Sequence, residues 1–431
     1  MYEFLIINCP SLCFCFVQLP VLAMKPAVPR NKCHGIPPGR GPFVVGLADV
    51  MSDNSINGTF TRLYYPTDLT ADDLKQTKQP LWIPNRAYSD SYSEFTSFTS
   101  KFSKWLFHLM FGSYRVPAIQ YANVRKLAEN QTLPVVVFSH GLGAMRTTYT
   151  TICLELASQG FFVAAVEHRD KSACATYYLK DGDSADSESE YKEEYVKFIR
   201  VKDKTDEDFK IRNGQVNQRA DECIKGLNLL EKINNGTEVR NYLGGEFDLS
   251  QFKGLLDFDK LSMIGHSFGG GTAIQTLKKE QRFKVGVAFD PWMYPLEKPM
   301  LSTITQPLLI INSEHFQWAA NVAAMTYLVN PTNQIEDRKM LTLRETVHQS
   351  QSDFTFLTSK FIGKLAGLQG DADPYVAMDN NNDALIAFIS KHLGIDYDSN
   401  LDKVFTDDAA DDVIHGTNIQ LDPERLPKAS L

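Results

Sequence analysis

Residues 265–269 read Gly265-His266-Ser267-Phe268-Gly269, with two more glycines directly behind. A serine framed in this way can act as a nucleophile when a sharp turn lifts its hydroxyl above the end of a sheet. The glycines matter because such a turn brings backbones together and leaves no room for Cβ atoms beside the serine. A serine hydroxyl is not nucleophilic at neutral pH by itself. It needs a base to take its proton and a third group to orient that base. The context fits: residues 261–264 (Leu-Ser-Met-Ile) suit a buried strand, and residues 272–279 suit a helix. The chemistry predicted is acyl transfer through Ser267.

The acid and the base must come downstream of Ser267, each at the end of a strand, in the order Ser, Asp or Glu, His. Of the later histidines, His315 follows the apolar segment 307–311, where an acid is expected. His392 falls in the last helix and His415 in the tail. His348 follows the segment 340–343 after a short turn, which is the loop position a base requires. Two carboxylates stay open on spacing alone. Asp290 ends segment 285–289, next to an aromatic wall in Phe289-Asp290-Pro291-Trp292, and Glu314 ends the segment after it. Either could instead cap the following helix. The tetrahedral intermediate also needs backbone N–H donors. Phe268 supplies one, and Leu142 in Ser139-His140-Gly141-Leu142-Gly143 supplies the other, with His140 supporting that loop by hydrogen bonding.

The elements that must position these residues are short apolar segments at 133–138, 161–166, 261–264, 285–289, 307–311 and 340–343. Helical segments at 147–158 and 383–393 lie among and after them. Near-continuous apolar strands separated by helices indicate a parallel sheet covered on both faces. Strands at 43–50 and 59–66, joined by a turn at Asn57-Gly58, add an antiparallel start. The expected class is therefore α/β, an α/β-hydrolase fold with a mostly parallel central sheet, helices on both faces and insertions. Residues 180–212 carry dense charge of both signs and read as a solvated excursion, with a lid as the sharper alternative. The expected organisation is an apolar N-terminal segment and irregular arm over 1–36, a catalytic domain over 37–398, and an acidic, poorly ordered tail over 399–431.

Composition narrows the partners. A net charge of −8 with no basic block excludes nucleic acid. No internal apolar run is long enough to span a bilayer. Seven cysteines with no C-x-x-C pair give neither a disulfide framework nor a metal-ligand spacing, and the chemistry calls for no metal or cofactor. The first 23 residues are apolar and end in Val21-Leu22-Ala23, a cleavage-like sequence, although the basic start of a secretory signal is missing. Sequons at Asn57, Asn130 and Asn235 suit secretion. Secretion is the expectation, with a cytoplasmic, membrane-associated protein as the alternative.

Five motifs taken together resemble one family. They are Gly265-His-Ser-Phe-Gly-Gly, Phe138-Ser-His-Gly-Leu-Gly-Ala, Val166-Glu-His-Arg-Asp, Asp290-x-Trp-Met-x-Pro-Leu and Val347-His-Gln-Ser-x-x-Asp-Phe. Their order and spacing are similar to those of the platelet-activating factor acetylhydrolases, phospholipases A2 that need no calcium. The resemblance runs from about residue 37 to 398. It implies Asp290 as the acid and Glu314 as a wall residue, and it assigns the oxyanion donors to Leu142 and Phe268. It makes 166–170 a structural loop. Pro291 departs from the small residue expected after the acid.

An enzyme of this kind takes its lipid from an aggregate or lipoprotein surface. Phe98, Phe102, Trp105, Leu106, Leu109 and Met110 share one helical face beside Lys101 and Lys104, the pattern of an in-plane interfacial helix. A helix packed on the core has the same period. Phe361-Ile362-x-x-Leu365-x-x-Leu368 suggests a second contact. The expected function is hydrolysis of an sn-2 acetyl or other short or oxidised acyl ester in phospholipids. A general short-chain carboxylesterase and a catalytically inactive binding protein are the alternatives.

Overall fold

The computed structural model describes residues 26–28, 30, 35–97, 99–181, 191–201, 206–245, 247–329 and 337–421. The expected leader and cleavage sequence, Phe98 and most of the acidic run in 180–212 lie outside them.

An antiparallel pair opens the chain, β1 (Val45–Met51) and β2 (Phe60–Pro66). Three helices follow: α1 (Ala71–Gln76), α2 (Arg86–Phe95) and α3 (Lys101–Phe111). The short β3 (Ile119–Gln120) then pairs with β1. Next come β4 (Leu133–Ser139), α4 (Thr150–Ser158) and β5 (Phe162–Val166). A two-stranded excursion, β6 (Ala175–Lys180) with β7 (Lys192–Lys197), leads into the long helix α5 (Asp206–Asn234). The rest alternates: β8 (Leu256–His266), α6 (Phe268–Lys279), β9 (Val285–Phe289), β10 (Leu308–Ser313), α7 (Ala319–Val329) and β11 (Arg338–Leu343). Helices α8 (Lys360–Leu365) and α9 (Pro374–Leu393) precede a closing strand, β12 (Val413–His415).

Among the described residues, ten of these strands form one sheet in the order β12-β11-β10-β9-β8-β4-β5-β2-β1-β3, in which the neighbours β11-β10-β9-β8-β4-β5 run parallel to one another. Successive side chains point to opposite faces and both faces are covered, so the central strands are apolar at nearly every position. Val136 and Phe138 of β4, Ile264 of β8 and Leu309 and Ile311 of β10 face one core, with Ile152 of α4 and Leu385 of α9. Val135, Val137, Leu261, Met263, Leu308 and Ile310 face the other, with Leu227 of α5 and Ile274 of α6. Both faces are buried, as expected of an α/β-hydrolase sheet.

Three sequence expectations need correction. Residues 399–421 are not a loose tail: β12 pairs antiparallel with β11, and Val404 and Val413 are buried. Asp398 and Thr406 cap the short turns of this stretch, accepting from the Asn400 and Asp408 N–H groups. The last helix begins nine residues earlier than expected. Asp373 caps it, accepting from the Tyr375 and Val376 N–H groups, with Pro374 in its first turn. The run Asp379-Asn-Asn-Asn hid this start, yet Asn381 and Asn382 are buried. Finally, residues 206–212 are not solvated excursion but the first turns of α5, with Asp208 and Arg212 buried.

Candidate active site

Ser267 sits between β8 and α6 at φ 60°, ψ −119°, a region an L-residue occupies only under strain. Its neighbours hold it there. The Ser267 N–H donates to Phe289 O at 2.8 Å, and Ser267 O accepts from Trp292 N at 2.9 Å and Gly271 N at 3.1 Å. The flanking glycines are a steric requirement. A Cβ on Gly265 would lie 2.0 Å from Gly269 O, and one on Gly269 would lie 2.0 Å from Ser139 O.

The strand ends deliver the partners. Ser267 Oγ lies 3.0 Å from His348 Nε2, and His348 Nδ1 lies 2.9 Å from Asp290 Oδ2. Asp290 is buried at the end of β9 with φ 40°, which turns its carboxylate toward His348. Two groups of Ser313 hold that carboxylate: the N–H donates to Oδ1 at 2.7 Å, and the hydroxyl donates to Oδ2. Pro291 leaves this geometry intact. The loop after His348 is anchored by Asp353, which accepts from Trp82 Nε1, Thr150 N and Thr151 N, each at 2.8 Å. The base loop is thereby tied to the N-terminus of α4.

The His348 ring is sandwiched. Phe316 stacks on it with centroids 3.6 Å apart, and His266 lies at 4.4 Å. Burial lowers the His348 pKa to about 3, which keeps the imidazole neutral and able to accept a proton. Burial also raises the Asp290 carboxyl to about 7, against the opposing pull of His266 and the Ser313 donors.

Among the described residues, neither the Leu142 nor the Phe268 N–H has a hydrogen-bond partner, and each is polarised by its own peptide carbonyl. Ser267 O, in the peptide of the Phe268 N–H, already accepts twice. Gly141 O, in the peptide of the Leu142 N–H, is 2.8 Å from His140 Nδ1. His140 Nε2 accepts from His168 N at 3.1 Å, so the ring proton sits on Nδ1 and points at Gly141 O. His140 thus supports the loop, as expected. Residues 166–170 are structural: Glu167 is bound by Arg146 and Tyr88, and His168 bridges Ser139 and Glu222.

The other candidates fall away from the site. The Glu314 carboxylate accepts from Glu345 N at 2.5 Å and serves the turn below the base loop. His315 and His415 are exposed, and His392 rests half-buried on Phe388 at the end of α9. One three-residue group with metal-ligand geometry occurs among the described residues: His266, Asp290 and His348, with ligand atoms within 4.8 Å of one another. Both His348 nitrogens are already engaged by Asp290 and Ser267, so this group does not offer a free ligand set.

A cavity of about 560 Å³ opens beside Ser267. Apart from His266 and His348, its walls carry no ionisable group but the Tyr92 and Tyr149 hydroxyls; they are built from residues such as Phe95, Phe107 and Phe354. Leu106 and Met110 of α3 and Ile362 of α8 stand in the same lining. On α3, Phe107 and Phe111 face inward, Phe102 (70% exposed), Trp105 (51%) and Leu109 face outward, and the cavity-lining Leu106 and Met110 are also partly exposed. On α8, Phe361 (79%) and Leu365 (82%) are also exposed. The core-packed alternative for α3 therefore holds for only two of its aromatic residues.

Three residues that sequence reasoning passed over belong to this region: Ser313, Phe316 and Arg219. Arg219 comes from α5, whose buried Val216, Ala220, Cys223, Leu227 and Leu230 recur at helical spacing and could have been read.

With this geometry in view, likeness to other proteins becomes informative. The family described as "Platelet-activating factor acetylhydrolase, isoform II" matches residues 29–411. The chain belongs to this family. Curated members named platelet-activating factor acetylhydrolase include the Gallus gallus protein, 44% identical over 91% of this chain and 92% of its own length. The Bos taurus protein is 44% identical over 89% and 83% respectively. A "Putative phospholipase A2" of Schizosaccharomyces pombe is 28% identical over 77% of this chain and 83% of its own length. Among solved structures, a ferulic acid esterase from Streptomyces cinnamoneus superposes with a TM-score of 0.55 at 16% identity, covering 89% of this chain and 99% of its own. That match bears on the fold, an α/β-hydrolase.

Proposed function

We propose that this family member is a serine esterase that removes the sn-2 acetyl or another short or oxidised acyl group from phospholipids of the platelet-activating factor type. The observation that carries the reading is the hydrogen-bonded series Ser267–His348–Asp290, with Ser267 and His348 lining an apolar cavity. Ser267 Oγ attacks the ester carbonyl while His348 Nε2 takes its proton, and Asp290 holds the imidazolium that results. The Leu142 and Phe268 N–H groups receive the oxyanion, each worth about 3–4 kcal/mol. Collapse breaks the bond to the sn-2 oxygen, which leaves with the proton from His348 as the lysophospholipid alcohol. Water, deprotonated by His348, then attacks the acyl-serine and releases the acid. The reaction needs no calcium.

The lipid is met at a surface. The outward faces of α3 and α8 flank the cavity mouth, with Lys101, Lys104, Lys360 and Lys364 along them, which supports shallow docking on a phospholipid aggregate or lipoprotein. Among the described residues no helix is long and apolar enough to cross a membrane. The protein acts outside the cell on this reading, supported by the exposure of Asn57, Asn130 and Asn235. A mobility shift on enzymatic deglycosylation of protein from secreting cells tests that.

The functional test is release of labelled acetate from a 1-alkyl-2-acetylglycerophosphocholine in excess chelator. Wild type should release it and Ser267→Ala should not. Activity abolished by the chelator, or retained by Ser267→Ala, contradicts the proposal.

A further inference from the structure

We propose that Arg219 is a positioning residue for the oxyanion hole, bracing from behind both backbone segments whose N–H groups receive the developing charge. This rests on Ser267 as the nucleophile and extends that reading to a residue that no motif includes.

The guanidinium is fully buried and spans the gap between the two segments. On one side its Nη2 donates to His140 O and, at 3.3 Å, to Ser139 Oγ, fixing the start of the loop that carries Leu142. Nη1 donates to Ser172 Oγ at 2.6 Å, and Ser172 O in turn accepts the Gly143 N–H at 2.8 Å. On the other side Nε donates to Thr272 Oγ1 at 2.9 Å, and that hydroxyl donates to Phe268 O at 2.9 Å. The guanidinium carbon also lies 4.6 Å from the centre of the Phe268 ring. One side chain therefore sets the distance between the two N–H donors. A lysine, with a single ammonium at the end of a flexible stem, cannot make this set of contacts.

Its charge is also unusual in its pairing. A buried arginine ordinarily bonds a carboxylate, because an unpaired buried charge is costly. Here all four hydrogen bonds end on neutral oxygens. The nearest acid, Asp170, forms a buried ion pair with Nη1 at 4.0 Å, too long for a hydrogen bond, and its Oδ1 is committed to Ser172. Glu222, one helical turn along α5, is taken by His168, Gln218 and the Arg169 N–H. A cation held behind two polarised peptides favours negative charge in front of them. That charge exists only in the tetrahedral state, so the brace acts on turnover more than on binding.

The test uses the full-length enzyme and a soluble aryl acetate, so that it does not depend on lipid preference. For Arg219→Met, kcat should fall roughly 10- to 100-fold, below the roughly 100- to 1000-fold loss of a direct donor. KM should change little. Affinity for a trifluoromethyl ketone, which forms an oxyanion on the serine, should weaken in step with kcat/KM, and Arg219→Lys should recover only part of the loss. If Arg219→Met lacks a native melting transition, the charge-balanced pair Asp170→Asn with Arg219→Met and the single Arg219→Lys carry the comparison. A folded variant that keeps wild-type kcat, or loses activity through KM alone, overturns the proposal. Wild type that leaves the aryl acetate uncleaved contradicts Ser267 as nucleophile; wild type that cleaves it but spares acetyl phospholipid contradicts only the substrate assignment.

Discussion

Phe316 lies flat against His348, with ring planes 19° from parallel and centroids 3.6 Å apart. Phe316 comes from the loop after β10, so the strand beyond the acid's own strand also sets the base. The contact excludes water from one imidazole face and, with His266 on the other, restricts the ring to the plane joining Ser267 and Asp290. Phe316→Ala should therefore lower kcat by roughly 10-fold, less than the roughly 10²- to 10⁴-fold that a general base itself contributes. The imidazole pKa should rise from about 3 toward the ordinary histidine range, because burial is what lowers it. Histidine-selective NMR titration reads the shift directly, and an unchanged titration would count against the sandwich as its cause.

Ser313 gives a pH prediction with a definite sign. Burial raises the Asp290 carboxyl to about 7, and the Ser313 hydroxyl and N–H favour its ionised form. Catalysis needs that carboxylate ionised, so activity should fall as pH drops through about 7. Ser313→Ala removes one donor to the anion and should move the acid limb of kcat/KM upward. The variant should thus be weak at pH 6 and closer to wild type at pH 8.5. A limb that stays in place or moves down contradicts this assignment.

The choice of acid can be tested against its alternative. Asp290→Asn should cost roughly 10⁴-fold in kcat, the scale for losing the group that fixes the imidazole tautomer. Glu314→Gln should leave kcat within about threefold, since its contact with Glu345 N needs only an acceptor oxygen. Steady-state kinetics on one soluble ester suffice. Equal losses would mean that both acids serve the base.

Much of this site was legible in the chain, and what was not has physical causes. Ser267 and His348 could be read because each follows an apolar strand at a position only a loop at the sheet's edge can occupy. Asp290 and Glu314 could not be separated by spacing, since β9 and β10 are neighbours and both end at the same edge. The backbone turns at Asp290, φ 40°, and its Oδ2 comes to 2.9 Å from His348 Nδ1, a contact that no composition signal encodes. The α3 stripe was ambiguous for a different reason: helical period reports that a face is apolar, not what covers it. Arg219 stayed hidden because a polar residue on the buried face of a helix looks like an interruption until its partners are known.

Docking on lipid predicts a split between substrates. Phe361 and Leu365 are exposed by 79% and 82%, so replacing both with glutamate should leave the fold unchanged. Burying such side chains is worth about 1.5–3 kcal/mol each, so the double variant should bind phosphatidylcholine vesicles at least roughly 10-fold more weakly. Hydrolysis of a soluble aryl ester and the melting temperature should hold. Vesicle co-sedimentation beside the two assays reads this out, and equal loss on both substrates would place α8 in the catalytic machinery instead.

The central claim is that Ser267 carries the acyl group between two half-reactions. The most direct measurement is to mix enzyme with a 1-alkyl-2-acetylglycerophosphocholine, quench in acid within the first turnover, and sequence the peptide spanning residues 261–279 by mass spectrometry. One acetyl group on Ser267 is the predicted result, absent in Ser267→Ala and accumulating in a variant slowed at deacylation. An unmodified Ser267 peptide in enzyme that is turning over, or acetyl carried on another residue, would contradict it.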